Sequence, residues 1–147
     1  MSETPMVPPY VNSAMKLVLH SPVHGMVSKT VLLITFTGRK SGKIYTTPVS
    51  YSQHNDQVVI FTHANWWKNL QNGMPVTLRI RGREFQGLAE AIHADKQAVA
   101  AGLSQHLQKV PSDARYYGVT FDDHKNPSAR EVDKAAQTVV MIRIRLC

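Results

Sequence analysis

The chain has 147 residues, 43 % of them apolar, a formal charge of +7 and a single cysteine, Cys147. That length suits one domain with an ordinary core and is short for two. One terminal cysteine excludes an intramolecular disulfide and a cysteine-rich zinc site, and the positive charge points either to an anionic partner or to solubility alone.

No run of residues reaches the roughly 20 apolar positions of a membrane span. Met1–Tyr10 has neither a basic n-region nor an apolar h-region, so no secretory signal is expected. The expected setting is cytoplasmic, without stable membrane insertion. Met1–Tyr10 carries Pro5, Pro8 and Pro9 without periodicity and reads as a flexible N-terminal arm, with residues 11–147 as a single domain. Asn12 or Ser13 can cap a short helix that puts Met15, Val18 and Leu19 on one face and ends at Pro22 and Gly25.

From Thr30 the period changes. Thr30–Thr37 is a nearly continuous apolar run, as in a strand buried on both faces. Tyr45–Ser52 alternates, His54-Asn55-Asp56 forms a turn, and Gln57–Thr62 is a third strand. Trp66–Asn72 reads as a short helix stopped by Gly73 and Pro75. Pro75–Arg81 alternates Val76, Leu78 and Ile80 against Thr77, Arg79 and Arg81, turns at Gly82 and returns as Arg83–Ile92. Asp95–Val110 is a longer helix with Val99, Leu103, Leu107 and Val110 in one stripe, Asp95 at its positive end and Pro111 beyond it. Phe121–Ala136 is polar and reads as a loop with one helical turn, and Thr138–Leu146 is a sixth strand. Six strands joined mostly by tight turns suit a mainly β (α+β) fold, an antiparallel barrel with flanking helices.

Three segments carry candidate chemistry. Gly38-Arg39-Lys40-Ser41-Gly42-Lys43 lies between two strong strands. Its glycines let the backbone bend and present N–H groups, with three cations and a hydroxyl around the bend. Such a turn can hold a phosphate, or it can be a basic hairpin turn that serves solubility. It lacks the glycine spacing and the following helix of a Walker loop. In Thr46-Thr47-Pro48-Val49-Ser50 the proline has no N–H, which marks an edge or a bulge where backbone groups can face a ligand. In His63-Ala64-Asn65-Trp66-Trp67-Lys68-Asn69 the two indoles diverge by about 100° on a helix, so one can enter the core while the other faces a pocket. The remaining histidines are scattered, no set has metal-ligand spacing, and no nucleophile–base pair appears. If the chain is an enzyme, a cofactor carries its chemistry.

The order of these features, a strand, G-R-K-S-G-K, a strand with T-T-P, a turn, a strand and then W-W-K-N-L, resembles the deazaflavin-dependent nitroreductase family over about Val31 to Leu70. The resemblance implies a split β-barrel of the FMN-binding type and an oxidoreductase that uses coenzyme F-420. Its reaction would be hydride transfer to a nitroaromatic, quinone or enone-like acceptor. It also implies that Arg39, Lys40, Ser41, Gly42 and Lys43 hold the phosphate and oligoglutamate tail. Tyr45, Thr46, Thr47, Pro48, Val49 and Ser50 would line the cofactor. Phe61, Thr62, His63 and Ala64 would present backbone to the deazaflavin ring, with Asn65, Trp66, Trp67 and Asn69 opening the helix beside it. Tyr116 and Tyr117 would face the substrate. The chain departs from the family at Tyr45, where relatives are basic, in its short His63–Asn65 loop, and at Asp113, where relatives carry a tyrosine.

FMN or haem in the same barrel is the alternative cofactor, the haem by way of His63. Arg79, Arg81, Arg83, Arg143 and Arg145 would form the face of a nucleic-acid-binding barrel, but no aromatics interleave them as stacking needs. The expected partner is therefore a small-molecule acceptor and not nucleic acid, with the chain a monomer or homodimer.

Overall fold

The computed structural model describes residues 30–147. The arm read at Met1–Tyr10 and the helix read from Asn12 or Ser13 lie outside the described residues. Six strands, β1 (Val31–Thr37), β2 (Ile44–His54), β3 (Gln57–Thr62), β4 (Met74–Ile80), β5 (Arg83–Ile92) and β6 (Val140–Leu146), close into a barrel. Their order is β1-β2-β3-β6-β5-β4, all neighbours antiparallel. The mainly β barrel expected from the alternating strands is the fold observed.

The alternation decides what fills the lumen. Val76, Leu78 and Ile80 of β4 and Ile142 and Ile144 of β6 point inward with Leu32, Ile34 and Phe36 of β1, and this core cluster is apolar throughout. Full burial of each such side chain is worth roughly 1.5–3 kcal/mol against leaving it in water. The hairpin between β4 and β5 closes through Arg81 and Gly82, both at positive φ (51° and 80°), as a two-residue turn of this kind requires.

A second core lies outside the barrel. Phe61 of β3 and Met141 of β6 are cross-strand partners whose side chains face outward. They are covered by α1 (Lys96–Lys109) and α2 (Ala129–Ala136) through Val99, Leu103, Leu107, Val132 and Ala136. Asp95 caps α1 by accepting the Ala98 N–H at 3.1 Å, the carboxylate at the positive helix end that the sequence suggests.

Three elements differ from the sequence expectation. The loop read at Phe121–Ala136 contains α2, two turns long. Ser128 accepts the Glu131 N–H at 3.3 Å, and Val132 and Ala136, one turn apart, are buried. The Ser-x-x-Glu pattern at Ser128–Glu131 is a capping-box spacing; here Glu131 turns instead to Thr120, accepting from its N–H (2.8 Å) and its hydroxyl (2.7 Å). The helix read at Trp66–Asn72 is a 3-10 helix over Asn65–Asn69, and a second 3-10 helix, Pro111–Tyr117, follows α1.

One pairing feature positions the site. β2 pairs with β1 along its whole first half, but its pairing with β3 begins only at Tyr51–Ile60. Residues 44–50 therefore have an edge with no strand beside it. The Tyr51 N–H donates to the Thr30 carbonyl (2.9 Å), and the β1–β2 register is uniform, so the backbones of Thr46, Pro48 and Ser50 face that open edge. Proline there forfeits no ladder bond, and the edge expected at Pro48 is observed.

Candidate functional site

The open edge adjoins a cleft of about 730 Å³ at one end of the barrel. Its apolar wall is a run of stacked rings. Phe36 lies between Tyr45 (centroids 5.8 Å apart) and Trp66 (5.3 Å), with interplanar angles of 26° and 22°. Phe36 is buried, so the exposed faces belong to its two half-buried neighbours. A flat aromatic ligand meets a matching surface here.

The Gly38–Ser41 turn also lines the cleft. The Gly38 N–H donates to the Lys43 carbonyl (2.7 Å) and the Gly42 N–H to the Gly38 carbonyl (2.9 Å). The Lys43 N–H donates to Ser41 Oγ (3.1 Å) and the Arg39 N–H to Asn69 Oδ1 (2.9 Å). Among the described residues only the amides of Lys40 and Ser41 in this turn have no acceptor. A backbone nest is therefore small, and anion binding falls mainly to side chains. Gly38 has a packing reason: a Cβ there would stand 2.9 Å from both Ser41 Oγ and Tyr45 Cε2. Gly42 has a conformational one, at φ 71°.

Asn69 joins this turn to the ring-bearing wall. Its Oδ1 accepts from the Arg39 amide while its Nδ2 donates to the Trp66 carbonyl at 3.0 Å. The turn is thus tied to the helix that carries the stacking indole. The exposed cations Arg39, Lys40 and Lys68 border the cleft. Among the described residues the one acid–base contact is His106–Asp113, so no described carboxylate pairs with these three.

Of the residues singled out from the sequence, Arg39, Lys40, Ser41, Tyr45, Thr46, Thr47, Ala64, Asn65, Trp66 and Asn69 line this cleft. Gly42 and Lys43 do not line it. Val49 packs on the lumen core, and Trp67 packs there too, against His93 at 4.6 Å, so Trp66 is the indole that faces the cleft. Phe61 sends its ring into the outer core. Thr62 Oγ1 accepts the Ala64 N–H at 3.0 Å and so shapes the loop. His63 lies 5.9 Å from the Tyr117 ring, while Tyr116 is 76 % exposed. Gly38 and Lys68, which stand inside the candidate segments without an assigned role, also line the cleft, and sequence reasoning missed Phe36.

It also missed a buried polar cluster beside the open edge. Ser50 donates its hydroxyl to Asp113 Oδ2, and His106 Nε2 donates to the same oxygen at 2.8 Å. His106 is 1 % exposed and stands against the Phe61 ring. Burial pushes the Asp113 carboxyl up, but the hydrogen bonds from His106 and Ser50 outweigh it and hold the group below its ordinary value. Burial, and then the Asp113 carboxylate, push the Tyr117 hydroxyl up to about 12, so it stays a neutral donor.

No helix among the described residues is long and apolar enough to cross a membrane, and no group of three metal-ligating side chains occurs among them. No curated protein matches the sequence significantly. Solved structures match the fold at low identity. An F420-H2 dependent reductase (FDR-A) is 17 % identical with a TM-score of 0.50, over 78 % of this chain and 94 % of that one. An FAD and heme binding protein from Mycobacterium smegmatis is 13 % identical at 0.54, over 87 % and 66 %. The protein Atu2129 from Agrobacterium tumefaciens is 14 % identical at 0.52, over 88 % of this chain, which spans only 56 % of its length. The family model for F420H(2)-dependent quinone reductase matches residues 13–120. That match takes in the turn, the open edge, both tryptophans and the Asp113 cluster, and the chain is an oxidoreductase that belongs to the F420H(2)-dependent quinone reductase family.

Proposed function

We propose that the chain binds reduced coenzyme F-420 in the cleft and reduces a small quinone-like acceptor beside the open edge of β2. The observation that carries this reading is the meeting of the exposed cations Arg39, Lys40 and Lys68 with the Tyr45–Phe36–Trp66 stack in one cleft. The coenzyme combines a flat ring system with a phosphate and several carboxylates, and this donor set fits both parts. Arg39 offers a forked contact to a phosphate, and Lys40 and Lys68 offer point charges to carboxylates. The backbone of Thr46 and Ser50 at the open edge, and of Ala64 opposite, would fix the ring.

When bound, the reduced deazaflavin supplies a hydride. The chain's own part is to orient coenzyme and acceptor and to keep water from between them. Trp66 and Tyr45 shield one side of the cleft. Tyr117, a neutral phenol beside His63, would donate a hydrogen bond to an acceptor oxygen. Quinones, nitroaromatics and enones all couple an electron-poor conjugated system to an oxygen that accepts a hydrogen bond from such a donor.

Titration of the protein with F-420 and with FMN tests the reading. It requires tighter binding of F-420, weakened by added salt because the contacts are exposed charges. Binding of FMN or haem with none of F-420 would overturn it in favour of another ligand in this barrel.

A further inference from the structure

The side chains of Ser50, His106 and Asp113 have no part in coenzyme binding as described above, and the apolar packing around them requires no carboxylate. Burying an ionised carboxylate is unfavourable until its partners offset the lost hydration, and an apolar side chain fills such space without that cost. The cluster joins three elements at one oxygen, Asp113 Oδ2: the open edge of β2, 63 positions away, and the consecutive last turns of α1 and 3-10 helix Pro111–Tyr117. That helix is short and internally braced. The Asp113 N–H donates to the Val110 carbonyl (3.1 Å) and the Val119 N–H to the Ala114 carbonyl (3.0 Å), and Gly118 ends it at φ 68°. A braced segment moves as one piece, so fixing Asp113 fixes Tyr117. Tyr117 in turn stands beside His63, in the loop leading to Ala64 and Asn65 of the cleft.

We propose that Ser50, His106 and Asp113 form a latch that docks the Pro111–Tyr117 helix on the open edge of β2 and sets the place of Tyr117 against the acceptor, with Asp113 as the positioning residue. This rests on the reading that the acceptor binds beside that edge. Asp113 acts through Tyr117 and touches no reacting atom. Its geometry matters more than its charge, because an amide oxygen at the same place accepts the same two hydrogen bonds.

Steady-state kinetics with reduced F-420 and menadione, beside a fluorescence titration of the coenzyme, test the latch. Asp113→Ala is expected to raise the menadione KM about tenfold and leave the coenzyme Kd within about twofold. Asp113→Asn is expected to restore the KM to within about threefold of the unmodified chain. Tyr117→Ala and the Asp113→Ala/Tyr117→Ala double variant are expected to share one KM within about twofold, because both remove the same placement. An unchanged KM in Asp113→Ala, or losses that multiply in the double variant, would overturn the proposal. Should Asp113→Ala not fold, Ser50→Ala removes one of the two donors, and an unchanged KM in that folded variant overturns it equally. A chain that binds no F-420 defeats the proposed function instead. The latch is then read from the Tyr117 ring signals in NMR spectra of tyrosine-labelled protein: a shift in Asp113→Ala that Asp113→Asn reverses supports it, and unmoved signals refute it.

Discussion

Two basic, glycine-bearing turns stand in this barrel, and they are built differently. The turn at Gly38–Lys43 is tied through Asn69 to a helix and faces a stack of three rings. The turn at Arg81-Gly82 is a bare two-residue hairpin. Near it the Arg83 guanidinium lies 5.8 Å over the ring of Phe85, and Arg79 stands opposite Glu84 in the register. It borders a hollow of about 550 Å³, but Lys109 on that rim already donates to the Gln53 carbonyl (3.1 Å). Charge and glycine mark both turns. What separates them is the Asn69 tie to a helix and the stack of three rings that the first turn faces.

The largest expected contrast follows from this. Arg39→Ala with Lys40→Ala should weaken F-420 binding about 100-fold at low salt, close to 2.7 kcal/mol, from two lost charge-assisted contacts. Arg81→Ala with Arg83→Ala should leave the Kd within about twofold. Equal losses from both pairs, measured by the same titration, would show that net charge and not the site attracts the coenzyme.

Next in size is the cost of breaking the buried cluster. Asp113→Ala leaves the Ser50 hydroxyl and His106 Nε2–H without an acceptor and should lower stability by about 1–3 kcal/mol in urea unfolding. The pH dependence has a definite sign. The Asp113 carboxyl is held below its ordinary value of 3.8 in the folded chain. Its contribution is therefore fully present above that ordinary value and is lost as pH falls through the lowered one. The stability gap between the unmodified chain and Asp113→Asn should accordingly narrow as the medium is made strongly acid.

Smaller effects sharpen the comparison of the turns. Asn69→Ala frees the Arg39 amide and the Trp66 carbonyl, and should weaken coenzyme binding about fivefold, or ~1 kcal/mol, with little change in thermal stability. The hairpin offers the reverse case. Arg81 sits at φ 51°, a left-handed conformation costing roughly 1 kcal/mol for most residues and less for asparagine. Arg81→Asn should therefore raise stability by about 0.5 kcal/mol, read as a small rise in melting temperature, without touching coenzyme affinity.

The strands were legible because their burial has a period of two. Val76, Leu78 and Ile80 alternate with polar residues and all three are buried. Pro48 announced the open edge for a physical reason, the missing N–H. α2 was hidden because its two turns carry only Val132 and Ala136 on the buried face, too few for a periodic signal, although the Ser128–Glu131 spacing marked its start. The turn and Trp66 were legible as local patterns. Phe36 was not, because its place in the ring stack depends on the β1–β2 register. The Asp113 cluster was out of reach for the same reason: His106 and Asp113 meet across the end of a helix, and Ser50 reaches them from a strand 63 positions away.

The most direct measurement is a fluorescence titration of F-420 against the unmodified chain, the Arg39→Ala/Lys40→Ala variant and the Arg81→Ala/Arg83→Ala variant, at low and at high salt. The account predicts tight binding that salt weakens, lost in the first variant and kept in the second. Binding that survives loss of Arg39 and Lys40, or that ignores salt, would contradict it.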